Sequence, residues 1–212
     1  MKNYIKLFVF FLSIVMMISC SNDDSNNTDN TFDITRYAIG GKMANSRLGL
    51  LTFEGNNIAR LKDVNQDRAY VYSVENNTVS IEDIGTFTIE NNELVNVNVS
   101  WDFSQAVLLT IPTQNAFLNS NYSGLIGNSF ITETFFVTFS GQEGVFGFGS
   151  TASQANPNKF FIMRNAISGF YQSSELSDVF FIHNGKLVYE RRVSLPGLSP
   201  NYFYAPGLDL QP

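Results

Sequence analysis

Hydrophobic and polar residues alternate with a period of two in several short stretches of the chain. The clearest stretch runs from 95 to 101 (VNVNVSW), and a second runs from 86 to 89 (TFTI). Successive side chains of a strand point to opposite faces of a sheet, so this pattern predicts strands with one buried face. A convincing 3.6-residue stripe is absent after Cys20, and only residues 115–118 are expected to form a helical turn.

Turn-forming residues separate these apolar stretches at short intervals. Short runs of asparagine, glycine or both occur at 55–57, 76–77, 91–92 and 184–185. Asn184-Gly185 lies between VFFI (179–182) and LVY (187–189), and both turn residues tolerate positive φ. This segment therefore predicts a β-hairpin.

Two parts of the chain resemble each other and indicate an internal duplication. LTFEG at 51–55 matches VTFSG at 137–141, and 87–95 matches 180–188. The two related halves are about 46–101 and 132–192, each with four or five short strands. We therefore predict an all-β fold, an antiparallel meander that forms a closed or nearly closed β-barrel of eight to ten strands or a two-sheet sandwich.

The strings LTFEGNN (51–57) and GTFTIENNELV (85–95) also resemble the strand-and-turn pattern of lipocalin-like bacterial lipoproteins. That resemblance implies a lipocalin-like barrel. It implies nothing about a ligand, because its motifs are turn residues.

The first residues have the three parts of an export signal. Lys2 and Lys6 accompany an apolar run from 7 to 18. About a dozen apolar residues are too few for a membrane-spanning helix, which needs roughly 20. Met17-Ile18-Ser19-Cys20 resembles the lipobox of bacterial lipoproteins. We expect a signal peptide at 1–19, cleavage before Cys20, and a membrane anchor through acyl chains on Cys20.

A polar, acidic segment follows the cysteine. Residues 21–31 (SNDDSNNTDNT) include no hydrophobic side chain, so residues 20–32 are predicted to be a lipidated cysteine with a disordered tether. An acidic run after the cysteine resembles the surface-export signal of lipoproteins in the Bacteroidota. The resemblance implies the outer membrane, with the outer face as the first choice and the periplasmic face as the second.

The charge of the mature chain excludes some partners. Removal of residues 1–19 leaves 11 of the 13 basic residues and all 19 acidic ones, a formal charge of −8. Such an acidic chain lacks the basic patch by which proteins bind nucleic acids. Residues 33–212 are long enough for a single β domain, and one cysteine allows no internal disulfide.

Candidate catalytic residues are few. His183 is the only histidine and directly precedes a predicted turn, so triads and histidine-based metal sites lack a ligand set, and we expect no cofactor. A carboxylate pair of the glycosidase kind remains open. The acids available for one are Asp83, Glu90, Glu93, Asp102, Glu133, Glu143, Glu175, Asp178 and Glu190.

One polar cluster has the spacing of a cation site. Asp63, Asn65 and Asp67 form the D-x-N-x-D pattern that places three oxygen ligands on one side of a calcium loop. Arg68 replaces the glycine of such loops, and Val74 stands where the final glutamate is expected. A calcium site and an ordinary polar turn are therefore the two interpretations of this cluster.

Aromatic residues are concentrated in the second half of the chain and include the pairs 135–136, 160–161 and 180–181. An exposed aromatic row, or a barrel lined by phenylalanine, would bind a glycan or an apolar ligand, whereas core packing needs neither. We predict a non-enzymatic envelope lipoprotein that binds a glycan, an apolar small molecule or a partner protein of the envelope. The alternatives are a carboxylate-dependent hydrolase and a purely structural or assembly lipoprotein.

Overall fold

Two antiparallel sheets, each curved into a nearly closed barrel, make up the fold. A computed structural model describes residues 32–99 and 106–212. A short 3-10 turn (Ile34–Arg36) precedes the first sheet. The strands of the first barrel are β1 (Tyr37–Lys42), β2 (Leu48–Glu54), β3 (Ile58–Lys62), β4 (Asp67–Glu75), β5 (Thr78–Ile81), β6 (Gly85–Glu90), β7 (Glu93–Val99) and β8 (Val107–Thr110).

The second barrel contains the rest of the described chain. Its strands are β9 (Asn121–Gly127), β10 (Thr132–Phe139), β11 (Val145–Gly149), β12 (Lys159–Phe160), β13 (Ile162–Asn165), β14 (Ser168–Gln172), β15 (Leu176–His183), β16 (Lys186–Val193) and β17 (Asn201–Leu210). The last strand, β17, pairs with both β16 and β9.

The two barrels have the same strand order. In the first barrel, β1 to β7 follow one another and β8 pairs with β1. In the second, β9 pairs with β10 and also with the last strand, β17. The edge strands β12 and β13 are separated only by Phe161. If they are counted as one interrupted strand, both barrels are eight-stranded meanders whose last strand returns to the first.

The all-β antiparallel meander and the nearly closed barrel are confirmed. The expected number of strands in each half was too low: each half closes into a barrel of its own, instead of supplying half of one barrel. The reason is that short strands such as β5 and β8, with four residues each, have little alternation to reveal them.

The predicted turns account for much of this register. Asn184 and Gly185 have φ of 51° and 73° and join β15 to β16. Asn76-Asn77 and Asn91-Asn92 also have positive φ in both residues. Two-residue turns with both φ positive match the twist of a hairpin, so asparagine at these places fixes the strand pairing.

One predicted alternation is broken by a bulge. Thr88 pairs with Val95 and Thr86 pairs with Asn98, so β7 has one residue more than β6 in this interval. Asn96 takes up the extra residue with φ of 51°. Val97 consequently remains 44% exposed, although the sequence placed it in the buried row.

Alternation along β15 and β16 explains why adjacent bulky residues are both buried. Phe180 and Tyr189 point into the second barrel, where their rings stack with centroids 5.7 Å apart. Phe181 and Val188 point outward and pack against the first barrel. Both faces of this pair of strands are therefore covered.

The contact between the barrels is an apolar cluster. Phe181 lies so close to β1 that a Cβ atom on Gly40 would be 2.5 Å from its ring, which explains the glycine. The cluster comprises Ala38, Leu48, Leu50, Val64 and Leu109 of the first barrel with Ile167, Phe170, Val179, Phe181 and Val188 of the second. Residues 33–212 thus form one compact unit.

Candidate functional site

A polar pocket lies where the two barrels meet. The β3–β4 connection of the first barrel faces the β14–β15 connection and the end of β16, and these segments enclose about 140 Å³. That volume holds about four or five water molecules at ~30 Å³ each. The lining residues are Lys62, Val64, Asn65, Gln66, Asp67, Gln172, Ser173, Ser174, Glu175, Leu176, Ser177 and Arg192.

Asp63 stabilises the β3–β4 connection, which lines the pocket on the side of the first barrel. Its carboxylate is fully buried and accepts hydrogen bonds from the backbone N–H groups of Asn65 (2.6 Å) and Gln66 (3.0 Å). The Gln66 side-chain amide donates a third, at 2.9 Å. Aspartate stabilises turns by such local bonds, so Asp63 holds Asn65 and Gln66 in place at the pocket.

The other two residues of the D-x-N-x-D motif link the barrels. The Asn65 side-chain oxygen accepts hydrogen bonds from Arg192 Nη1 (3.2 Å) and from the Tyr202 hydroxyl (3.1 Å). Asp67 forms an ion pair with Arg164. Within 32–99 and 106–212, no cluster of three or more His, Cys, Asp or Glu side chains is arranged to hold a metal ion. Calcium binding by these residues stays a prediction, which a calcium titration of the thermal midpoint tests.

Lys62 is the buried cation of the site. It ends β3, is only 3% exposed, and places Nζ 4.6 Å from the centroid of the Phe170 ring. Burial lowers the pKa of Lys62, and the nearby carboxylates of Asp67 and Asp63 oppose that change. Among the described residues, no hydrogen bond or ion pair involves its ammonium group.

Arg192 supplies a second positive charge from β16. Besides its bond to Asn65, its Nε donates to the Ser194 hydroxyl at 2.9 Å. Glu175 lines the same pocket and is exposed. Amides, hydroxyls and charges of both signs therefore surround the cavity, which can both donate hydrogen bonds to a ligand and accept them.

A buried glutamate lies between the barrels near this pocket. Glu190 is 1% exposed and accepts hydrogen bonds from the backbone N–H of Leu48 (2.8 Å) and from Arg47 Nη1 (3.1 Å). Burial raises the pKa of Glu190 to about 7, although the bonds from Leu48 and Arg47 act in the opposite direction. Both carboxylate oxygens thus have protein donors.

Another buried acid among the candidates for a catalytic pair lies on the opposite face of the β15–β16 ladder from Glu190. Asp178 points into the second barrel, where Arg191 donates two hydrogen bonds of 2.8 Å to it. Arg191 also donates to the Tyr189 hydroxyl at 2.6 Å and lies 3.6 Å from the centre of the Phe148 ring. Asp178 and Glu190 lie on opposite faces of the β15–β16 ladder, so they form no catalytic pair.

The phenylalanine-rich interior of the second barrel is packed. Its rings contact one another with centroids 4.6 to 5.9 Å apart. Phe117, from the segment before β9, also belongs to this aromatic core and is 1% exposed. The rings involved are those of Phe117, Phe139, Phe146, Phe161 and Phe180.

The sequence singled out Asp63, Asn65 and Asp67, and the structure places all three beside the pocket. It missed Lys62, whose only signal is a lysine in a strand close to that motif. His183 lies at the β15–β16 hairpin and hydrogen-bonds Asn184. The predicted lipidation of Cys20 and the acid Asp102 lie outside the described residues.

The described residues contain no helix long and apolar enough to cross a membrane. Comparisons of the chain with protein-family models, with curated proteins and with solved structures find no match.

Proposed function

We propose that the chain is a lipid-anchored protein of the bacterial cell envelope whose two-barrel domain binds a glycan in the pocket between the barrels. The observation that carries this proposal is the pocket lining. Side chains that donate and accept hydrogen bonds come from both barrels and converge on this cavity, as the several hydroxyl groups of a sugar require. The export signal and the lipobox-like sequence before Cys20 support the anchor and the address, with the surface of the outer membrane as first choice.

An apolar ligand fits the molecule less well. The rings inside the second barrel occupy its interior, as described above. A cavity of the first barrel lined by aliphatic residues and Phe87 measures about 10 Å³, which is at the lower limit for a single water molecule. The polar pocket between the barrels offers more room than that cavity.

Hydrolysis is also less well supported than binding. A glycosidase needs two carboxylates across a cleft, one of them free to donate a proton. Glu190 uses both oxygens on protein donors, and Asp67 is paired with Arg164. Glu175 has no such hydrogen bond or ion pair among the described residues. The pocket therefore offers one available carboxylate, whereas a glycosidase needs two.

A protein partner is a second candidate, favoured by one exposed turn. The β9–β10 turn is held by Asn128, whose side chain accepts hydrogen bonds from the N–H groups of Phe130 and Ile131. Phe130 is nevertheless 90% exposed. Crosslinking in intact cells that is lost in a Phe130→Ser variant, with sugar binding retained, would support this candidate.

Calorimetric titration of the full chain in detergent with monosaccharides tests the proposal. Ser177 is 6% exposed and lines the pocket, so a Ser177→Leu substitution fills the cavity. We expect at least one sugar to bind and this variant to weaken its binding at least tenfold. The matched control is Ser80→Leu on β5, which should leave binding unchanged. Equal binding by both variants and the unaltered chain would place the site elsewhere.

A further inference from the structure

The Lys62 side chain points into the pocket from the outer face of the first barrel. Leu61, the residue before it, points into that barrel and is fully buried, so alternation turns Lys62 towards the second barrel. The Phe170 ring of β14 lies there, with Lys62 Nζ over its face. Only 3% of Lys62 is exposed, although it lines a polar cavity.

An ammonium group has three hydrogen-bond donors and is unfavourable in a buried place unless an acceptor or a counter-ion meets it. Within the described residues, the Lys62 ammonium has no hydrogen bond or ion pair and lies 4.6 Å from the centroid of the Phe170 ring. A ring face is a weaker partner than a carboxylate, so the structure leaves a buried cation facing the cavity with donors to spare.

The surrounding charged groups other than Glu175 are engaged with other residues. Asp63 accepts three hydrogen bonds within its own turn. Asp67 pairs with Arg164 from β13. From β16, Arg192 binds Asn65 and Ser194, and Glu175 lies exposed at the rim of the pocket. The acids nearest to Lys62 thus attract it through space while their oxygens serve other donors.

We infer that the sugar held in this pocket carries a carboxylate, and that Lys62 is the counter-ion of that carboxylate. The inference rests on the proposed function and names its ligand more closely: an acidic sugar of the uronic-acid class. The carboxylate would meet the Lys62 ammonium, and the hydroxyls of the sugar would meet the amide and hydroxyl side chains of the lining. Arg192 adds a second positive charge from the side of the second barrel.

A phosphate group fits this pocket less well than a carboxylate. Asp67 and Glu175 are part of the lining and repel a dianion more strongly than a single negative charge. Phosphate sites usually offer several arginines or backbone N–H groups, and here one lysine is joined by neutral side chains and Arg192.

The test compares acidic sugars with their neutral counterparts. Calorimetry on the full chain in detergent would measure the Kd of glucuronate against glucose, of galacturonate against galactose, and of inorganic phosphate. We expect one uronate to bind at least tenfold more tightly than its neutral counterpart. In a Lys62→Met variant, which keeps the length of the side chain, that preference should disappear. The matched control is Lys186→Met, because Lys186 is exposed and pairs with Asp209.

Each other outcome overturns a different statement. Equal affinity for uronate and neutral sugar would refute the carboxylate and leave the glycan proposal standing. Tighter binding of phosphate than of either uronate would show that the anion is not a sugar carboxylate. Absence of binding by every sugar would refute the proposed function itself. Folding of Lys62→Met is checked by its thermal midpoint, which should rise without ligand because a buried unpaired charge is removed.

Discussion

The carboxylate of Glu190, on β16 of the second barrel, accepts a hydrogen bond of 2.8 Å from the backbone N–H of Leu48, the first residue of β2 in the first barrel. Arg47, one residue earlier, donates to the other oxygen and stacks 3.4 Å from the centre of the Tyr202 ring. The barrels are therefore joined by a buried polar contact as well as by apolar packing.

The free energy of unfolding should depend on pH because of the protonation of Glu190. Burial raises its pKa in the folded chain from 4.5 to about 7, so the folded state binds the proton more tightly than the unfolded state. The resulting stabilisation is complete below pH 4.5 and is lost as the pH rises through 7. At about 1.4 kcal/mol for each tenfold change in proton affinity, the loss is about 3 kcal/mol.

Denaturant unfolding of the Glu190→Gln variant between pH 4 and pH 8 measures this contribution. The variant should lose less stability than the unaltered chain as the pH rises across this interval. Glu133→Gln, at an exposed position of β10, is the control and should keep the original pH profile. Parallel profiles for Glu190→Gln and the unaltered chain would refute the role of Glu190.

Gly40 should tolerate no side chain. A Cβ atom there would lie 2.5 Å from the Phe181 ring, so Gly40→Ala is expected to destabilise the fold by about 1–3 kcal/mol through overpacking. The control is Gly55→Ala, where nothing lies within 4 Å of the added atom. In a Phe181→Leu background the cost of Gly40→Ala should shrink, because the two residues are in contact. Additive losses would contradict the packing described here.

The Asp178–Arg191 ion pair should be needed for the stability of the second barrel. Asp178 is fully buried, and its replacement by asparagine leaves the Arg191 guanidinium without a negative partner. We expect a loss of about 3–5 kcal/mol in the free energy of unfolding. Asp209→Asn removes a partner from the exposed pair with Lys186 and should cost less than about 1 kcal/mol. Similar losses for the two variants would argue against a role of burial.

Replacement of Cys20 should release the protein from the membrane. The chain has one cysteine, so a Cys20→Ala variant removes the only thiol that could be acylated. Phase partitioning with a detergent should move the protein from the detergent phase to the aqueous phase, and incorporation of labelled palmitate should stop. A variant that stayed in the detergent phase would contradict the anchor.

The strands and their turns could be predicted because their signals are local. Asn184-Gly185 specifies a hairpin by its own backbone preferences, and Phe87 lies in a clear period of two. The division into two barrels could not be predicted in the same way. It depends on β8 returning to β1, and that pairing is set by contacts distant in the chain.

The site could be predicted only in part. Asp63, Asn65 and Asp67 stand out by spacing; Asn65 and Asp67 line the pocket, and Asp63 holds their turn. The sequence does not show that Arg192 and Arg164, more than 90 residues further along, donate to the oxygens that a cation would need. Lys62 and Glu190 are ordinary charged residues in strands until the contact between the two barrels buries them.

A crystal structure of the protein with bound galacturonate or glucuronate tests the central claim most directly. We expect electron density for the sugar in the pocket between the barrels, with its carboxylate at about 2.8 Å from the Lys62 ammonium. Density for the sugar at another place, such as the groove beside Tyr122 and Asn156 of the second barrel, would contradict the proposed site.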